Sequence, residues 1–341
     1  MEASSHLKQA AARFLPALER EMQEVVTPPS PELHELYGYL HYHLGWVDQD
    51  LQPTGGHTGK RLRPIFCLLA CEACGGSWEQ TLPAAAAVEL LHNFSLIHDD
   101  IEDGDRMRRG RPTLWSIWSL PQALNAGDAL FSLSQLALLR LTDQSVPAET
   151  VAAAMQLFNQ TCLQLTQGQF LDISFEERGD VNPGMYLAMI EGKTAALMAT
   201  SCKLGALVAD ATESRQDHLR AFGHHLGLAF QIQDDILGIW GDPQVTGKPV
   251  GADILRHKKT LPILHGLGKS DQLRPLLTRA EITPQEAAQA AQLLQEVGSR
   301  DWAESNAQEH TECALAALDA SGCPDTFALQ GLALELLGRV R

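Results

Sequence analysis

The sequence predicts an all-α protein. Apolar residues recur at helical spacing along most of the 341 residues, Ala, Leu, Gln and Glu dominate, and alternating β-branched runs are scarce. A chain of this length can bury a large core. It shows no repeat of fixed period, no low-complexity block and no linker, so one domain over residues 1–341 is expected.

The periodicity places helices at roughly 5–25, 31–50, 60–75, 81–104, 121–143, 147–175, 183–209, 213–239, 256–268, 284–297, 300–320 and 324–339. Several ends carry local signals. Pro83 fits a first helical turn, where its missing N–H costs nothing. Thr283-Pro284-Gln285-Glu286 is a capping box with Pro at the first helical position, and Gly298 is a stop for that helix. Gly241–Gly251 is a Gly/Pro-rich break between helices.

Composition excludes some functions. Lys and Arg total 26 against 42 Asp and Glu, a formal net charge of −16, which argues against nucleic-acid binding. An anionic substrate would need local basic clusters or metal ions. The seven Cys are irregularly spaced with no secretory leader before them, which reads as reduced intracellular thiols. Cys71-Glu-Ala-Cys74 lacks a second metal-binding pair, so small buried helix residues are expected there. No apolar run reaches the ~20 residues of a membrane span. A cytoplasmic protein is expected.

Two carboxylate groups carry the chemistry. Asp99 and Asp103 are four apart and share a helix face. Like charges at that spacing, at a helix C-terminus, disfavour the helix unless a cation neutralises them. Glu102 and Asp105 add to the crowding. A solvated acidic helix end is the plain alternative, but the preceding Ala84–Ile97 is strongly apolar. Carboxylates completed by water and phosphate oxygens suit Mg²⁺. Asp234 and Asp235 repeat the pattern after Leu226–Gln233, although their i+4 neighbour is Gly238. The near-repetition Leu-Ile-His-Asp-Asp (96–100) and Gln-Ile-Gln-Asp-Asp (231–235) suggests two helices delivering carboxylates to one cavity.

Basic residues flank these groups. Lys60-Arg61-Leu62-Arg63 opens a helix, Arg106, Arg108, Arg109 and Arg111 follow the first Asp cluster, and Lys193, Lys248, Lys258 and Lys259 come later. Each set alone reads equally as solvated charge. Together they suggest two anion sites, with Arg suited to bidentate phosphate contacts.

In this order the motifs closely resemble the trans-isoprenyl diphosphate synthases, the polyprenyl synthetase family. The resemblance rests on Gly59-Lys-Arg-Leu-Arg-Pro64, His92, Asp99-Asp-Ile-Glu-Asp103, Arg108-Arg-Gly-x-Pro112, Gly168-Gln169 with Asp172, Lys193-Thr194, Phe230-Gln231-x-x-Asp234-Asp235 and Gly241-Asp-Pro to Gly247-Lys248. It implies a single large orthogonal helix bundle around a central apolar cavity, of the isoprenoid synthase type. It also implies condensation of an allylic diphosphate (dimethylallyl, geranyl or farnesyl) with isopentenyl diphosphate, using about three Mg²⁺ per active site, and a homodimer.

By the same resemblance Asp99 and Asp103 hold Mg²⁺ with Asp100 supporting, and Asp234, beside Asp235, holds another from the opposite wall. Arg108, Lys193, Lys248 and Lys258 contact the allylic diphosphate. Lys60, Arg63, His92 and Arg109 bind isopentenyl diphosphate, and Thr194 and Gln231 line the site near the reacting carbons. Many members carry a third Asp where this chain has Gly238, which predicts retuned metal affinity.

Phe94 and Ser95 precede Asp99 by five and four residues, about one turn below the metals. Phe94 reads equally as core packing or as the floor of the product channel. An aromatic there, with the short first motif, resembles the geranylgeranyl (C20) makers; farnesyl (C15) is the near alternative. Two rivals remain. A non-catalytic regulatory subunit is favoured only by Gly238. A terpene cyclase would not need Lys60, Arg63 and His92.

Overall fold

The structure, a computed structural model, describes residues 5–55, 59–242, 250–277, 279 and 281–338. Among them the chain is helical almost throughout, as the periodicity predicts. The strands are the two-residue pair β1 (Met107–Arg108) and β2 (Arg111–Pro112). The chain forms two compact units. One comprises residues 1–159, 201–216 and 323–325, the other residues 160–200, 217–322 and 326–341.

In the first unit, α1 (His6–Val25), α2 (His34–Leu44), α3 (Leu62–Ala73), α4 (Leu82–Glu102), α5 (Leu114–Ile117) and α6 (Leu120–Leu139) follow in order. The core is built on the small-residue run of α4. Ala84, Ala85, Ala86 and Ala87 are all fully buried, which lets neighbouring helices approach closely. The expected helix over 31–50 is shorter than its apolar pattern. It ends at Leu44 because Gly45 adopts a left-handed conformation (φ 87°), and Val47 then bridges to Pro53.

The division falls within α7 (Ala148–Glu177), α9 (Ala196–Val208) and α10 (Glu213–Trp240). The second unit also holds α8 (Pro183–Ile190). Asn182 caps α8 by accepting from Met185 N at 3.1 Å, with Pro183 at the first position. The helix expected over 183–209 is interrupted at Glu191–Ala195 by a π-helical turn. The expected 256–268 helix begins only at Leu261, after Thr260, and a separate turn occupies Ala252–Leu255. The capping box at Thr283 and the stop at Gly298 (φ 76°) are both present.

All seven cysteines are free thiols. Cys71 donates to Ser77 O at 3.3 Å, and burial pushes its pKa up to about 11, which suits a structural residue rather than a reactive one.

Candidate active site

In the first unit, α4 delivers the first carboxylates. Asp103 N donates to Asp99 O at 2.8 Å, so the helical register persists through Asp103 and both side chains lie on one face. Asp99 is half-buried and Asp103 exposed. Asp100, 100° round the helix, points elsewhere. It is 2% exposed and accepts from Arg108 Nε at 2.6 Å. Burial raises its pKa to about 6, with Arg108 opposing that rise. Asp100 thus orients Arg108, while Asp99 and Asp103 lie on the other face.

The segment after α4, which the sequence offered equally as a solvated loop, is a β-hairpin. Arg109 (φ 52°) and Gly110 (φ 76°) make its two-residue turn, and both need positive φ. Arg111 anchors the hairpin, donating to Tyr42 O at 3.1 Å and Val47 O at 2.7 Å, with its guanidinium 4.0 Å from the Tyr42 ring centroid. Thr113 Oγ1 and Trp115 Nε1 each donate to Asp105 O at 2.9 Å. Arg108 and Arg109 are presented from this scaffold.

The residues assigned by resemblance to isopentenyl diphosphate gather in the same unit. Arg63 Nη1 donates to His92 Nε2 at 3.3 Å. Burial, then Arg63, Arg109, Arg108 and Arg61, push the His92 pKa well below its usual value, so the ring is neutral and can accept. Arg63 Nε is buried and makes no hydrogen bond among the described residues, leaving a donor for an anion. The Arg109 guanidinium packs on Gly59, where an added β-carbon would lie 2.6 Å from Nη1. Gly59→Ala should therefore displace Arg109 and raise KM for isopentenyl diphosphate about tenfold, leaving KM for the allylic partner little changed. Steady-state kinetics with each substrate varied in turn checks this.

Lys60 is exposed, whereas its neighbour Arg61 is 3% exposed and structural. Arg61 donates to Glu89 Oε1 at 2.7 Å, Glu19 Oε1 at 3.1 Å and Leu44 O at 3.2 Å. Sequence reasoning missed His43. Its Nε2 is buried and makes no hydrogen bond among the described residues, and it lines a pocket with Asp100, Arg108, Arg109 and Arg111. Burial and those arginines push its pKa to about 3. No sequence signal ties His43 to arginines more than sixty positions away.

Phe94 packs with its ring centroid 4.7 Å from His98 and 5.1 Å from Phe131 of α6. Ser95 Oγ donates to His92 O at 2.9 Å.

In the second unit the π turn fixes Lys193. A β-carbon on Gly168 of α7 would lie 2.8 Å from Lys193 Cα, and one on Gly227 of α10 would lie 2.7 Å from Ala195 Cα. Two glycines thus let both helices close on the turn's backbone, where π insertions often mark function. Lys193 ion-pairs with Asp172.

A relay runs through the residues that the motifs single out. Thr194 Oγ1 donates to Gln231 Oε1 at 3.0 Å, and Gln231 Nε2 donates to Asp235 Oδ1 at 3.1 Å. Asp235 Oδ2 accepts from Tyr186 OH at 2.6 Å and Leu261 N at 3.3 Å. Asp235 is 2% exposed, and burial raises its pKa to about 7 against those bonds. Asp234, next in the chain, is exposed. The second Asp pair therefore divides as the first does, with one carboxylate outward and one tied into the fold.

Lys258 is exposed, and its N–H donates to Asp253 O at 2.9 Å. Lys259 instead caps the C-terminal carbonyls of α7. Lys248 lies outside the described residues.

The donor set fits Mg²⁺. Asp99 and Asp103 offer oxygen-only ligands at the negative end of a helix dipole. Among the described residues, no three His, Cys, Asp or Glu side chains form a ready metal cage. One or two carboxylates with water and phosphate oxygens are the usual Mg²⁺ arrangement.

Comparison with known proteins agrees with this geometry. A family model described as polyprenyl synthetase matches residues 45–297. A geranylgeranyl diphosphate synthase of Mycobacterium tuberculosis is 42% identical over 332 residues, covering 96% of this chain and 92% of that protein. A (2E,6E)-farnesyl diphosphate synthase of Mycobacterium bovis is 40% identical, covering 93% and 91%. Among solved structures, a polyprenyl synthetase from Streptomyces coelicolor A3(2) superposes with a TM-score of 0.87 at 36% identity, covering 98% of each chain. A geranylgeranyl pyrophosphate synthetase from Pyrococcus horikoshii gives 0.87 at 32% identity, again covering 98% of each. With the all-helical fold, the paired carboxylates and the basic clusters in place, the chain belongs to the polyprenyl synthetase family.

Proposed function

We propose that this chain is a Mg²⁺-dependent trans-prenyltransferase that condenses an allylic diphosphate with isopentenyl diphosphate, head to tail, to geranylgeranyl diphosphate. The observation that carries the reading is the Arg63–His92–Arg109 cluster, where a buried, unsatisfied Arg63 Nε and a neutral His92 imidazole support a second anion site beside the one assigned to the allylic diphosphate. A cyclase has no use for that second site.

Asp99, Asp103 and Asp234 are the proposed metal-holding carboxylates. Bound Mg²⁺ would offset the negative charge that develops on the leaving diphosphate. The chain's own part is electrostatic and positional. Arg108, Lys193, Lys248 and Lys258 are assigned to the allylic diphosphate, and Asp100 and Asp172 hold Arg108 and Lys193 in place. Lys60, Arg63, His92 and Arg109 hold isopentenyl diphosphate so that its alkene meets the allylic cation. The departing diphosphate then takes the proton. Thr194 and Gln231 present oriented dipoles beside the reacting carbons.

The product length is assigned to Phe94, with Phe131 and His98 packed against it. Replacing Phe94 with Ala removes the floor and should lengthen the main product by at least one five-carbon unit. Reading product lengths with dimethylallyl, geranyl and farnesyl diphosphate as starters tests this, and an unchanged twenty-carbon product would sink it. Mainly fifteen-carbon product from the unaltered enzyme would favour the farnesyl alternative.

The active form is proposed to be a homodimer, with the two compact units acting as one synthase domain. Exposed Leu163, Phe170 and Ile173 on α7 supply apolar surface suited to a second copy. No helix of the described residues is long and apolar enough to cross a membrane.

A further inference from the structure

The C-x-x-C spacing sets Cys71 and Cys74 near each other in sequence, but the fold gives them different neighbours. Cys71 is buried, its Sγ donates to Ser77 O at 3.3 Å, and a β-carbon on Gly76 would lie 2.7 Å from that sulfur. Cys74, the residue after α3, is half-buried and meets Cys323 instead. Their Sγ atoms are 3.6 Å apart, across 249 positions of sequence.

The contact lies within the first unit. Of the chain beyond residue 216, only Cys323–Asp325 belongs to that unit. These residues lie in the connection between the helices Ser299–Ala320 and Phe327–Leu337. A disulfide needs its sulfurs about 2.05 Å apart, so the pair must close by about 1.5 Å. The backbone beside each sulfur has room to give. Gly75 follows Cys74 at φ 86°, Gly322 precedes Cys323 at φ 60°, and a β-carbon on either would meet nothing within 4 Å among the described residues. Gly322, Pro324 and Asp325 are exposed, which opens Cys323 to a small reagent.

We infer that Cys74 and Cys323 form a reversible disulfide when met by a low-molecular-weight disulfide oxidant, fastening the segment between the two C-terminal helices to the end of α3. The Cys323 thiolate attacks the oxidant RSSR and displaces RS⁻, leaving a mixed disulfide. Cys74 then gives up its proton, attacks the Cys323 sulfur and displaces the second RS⁻. The pair loses two electrons and two protons, and RSSR becomes two RSH. The order follows from the surroundings. Burial, and then Cys323, raise the Cys74 pKa to about 12, with Arg215 opposing that rise, so Cys74 is the resolving thiol and not the first to attack. Once the Cys323 sulfur is held in a mixed disulfide it carries no charge, and its part of the rise lapses.

The test uses the full chain and oxidised glutathione, without metal or prenyl substrate. Remaining thiols are blocked with iodoacetamide, and intact mass and peptide maps locate any link. The expected product is an intrachain Cys74–Cys323 link that dithiothreitol reverses, with a melting temperature raised by about 5 °C. Cys71→Ser should form the same link. Cys74→Ser should stop at a glutathione adduct on Cys323, and Cys323→Ser should form no link from Cys74. Circular dichroism confirms folding, and where a variant does not fold the map of the unaltered chain decides. A Cys71–Cys74 link, a link between two chains, adducts alone or no reaction in the unaltered chain overturns the inference. So does a Cys74–Cys323 link that leaves the melting temperature unchanged, because the segment would then not be fastened.

Discussion

Replacing Asp99 with Asn should lower kcat on the order of 100- to 1,000-fold at saturating substrate and leave the melting temperature nearly unchanged. Asp99 is half-buried at the end of α4 and shares its face with Asp103, its partner in the proposed metal site. Asp100→Asn should behave differently. That carboxylate is buried and bonded to Arg108 Nε at 2.6 Å. Losing the charge-assisted bond should cost about 1–3 kcal/mol, loosen Arg108 and raise KM for the allylic substrate, with the Mg²⁺ requirement little changed. Mg²⁺ titrations of initial rate, run beside thermal melts, separate the two variants. Equal loss of kcat and Mg²⁺ affinity in both, with unchanged melting, would contradict this division of labour.

The second large effect concerns stability. Arg61→Ala should destabilise the protein by about 3–5 kcal/mol, because it strands Glu89, only 4% exposed at its side chain, without its cation. The guanidinium also donates to Glu19 and to Leu44 O, so one residue ties together α1, α2 and α4. Lys60→Ala, one position earlier but exposed, should change stability by less than about 0.5 kcal/mol while raising KM for isopentenyl diphosphate. Denaturation midpoints for both variants test the contrast. Comparable destabilisation by the two would show that Arg61 is not the buried anchor.

These contrasts mark what the sequence could and could not reveal. The helices were legible because periodicity carries them, and the order of the motifs because spacing does; that Arg63, His92 and Arg109 share a site was implied only by the family resemblance of those motifs. The opposite roles of Asp99 and Asp100, or Lys60 and Arg61, were not. Adjacent residues of one type or charge look alike in sequence, while a 100° step round α4 turns Asp100 inward beside half-buried Asp99 and the left-handed backbone at Arg61 (φ 48°), ahead of α3, accompanies its burial beside exposed Lys60. Contacts distant in sequence were equally hidden. Phe131 meets Phe94 from a different helix, and His43 joins arginines of the hairpin. Asp253 Cγ lies 2.5 Å from where a β-carbon on Gly238 would stand, a proximity the sequence does not show. The hairpin itself looked like a charged loop because its turn depends on positive φ at Arg109, a residue with no special preference for it.

The most direct measurement is product analysis of the purified chain given labelled isopentenyl diphosphate, farnesyl diphosphate and Mg²⁺. The expected result is a linear all-trans twenty-carbon diphosphate whose formation stops when a chelator removes the metal. A cyclic hydrocarbon, or no elongated product with any allylic starter, would contradict the assignment.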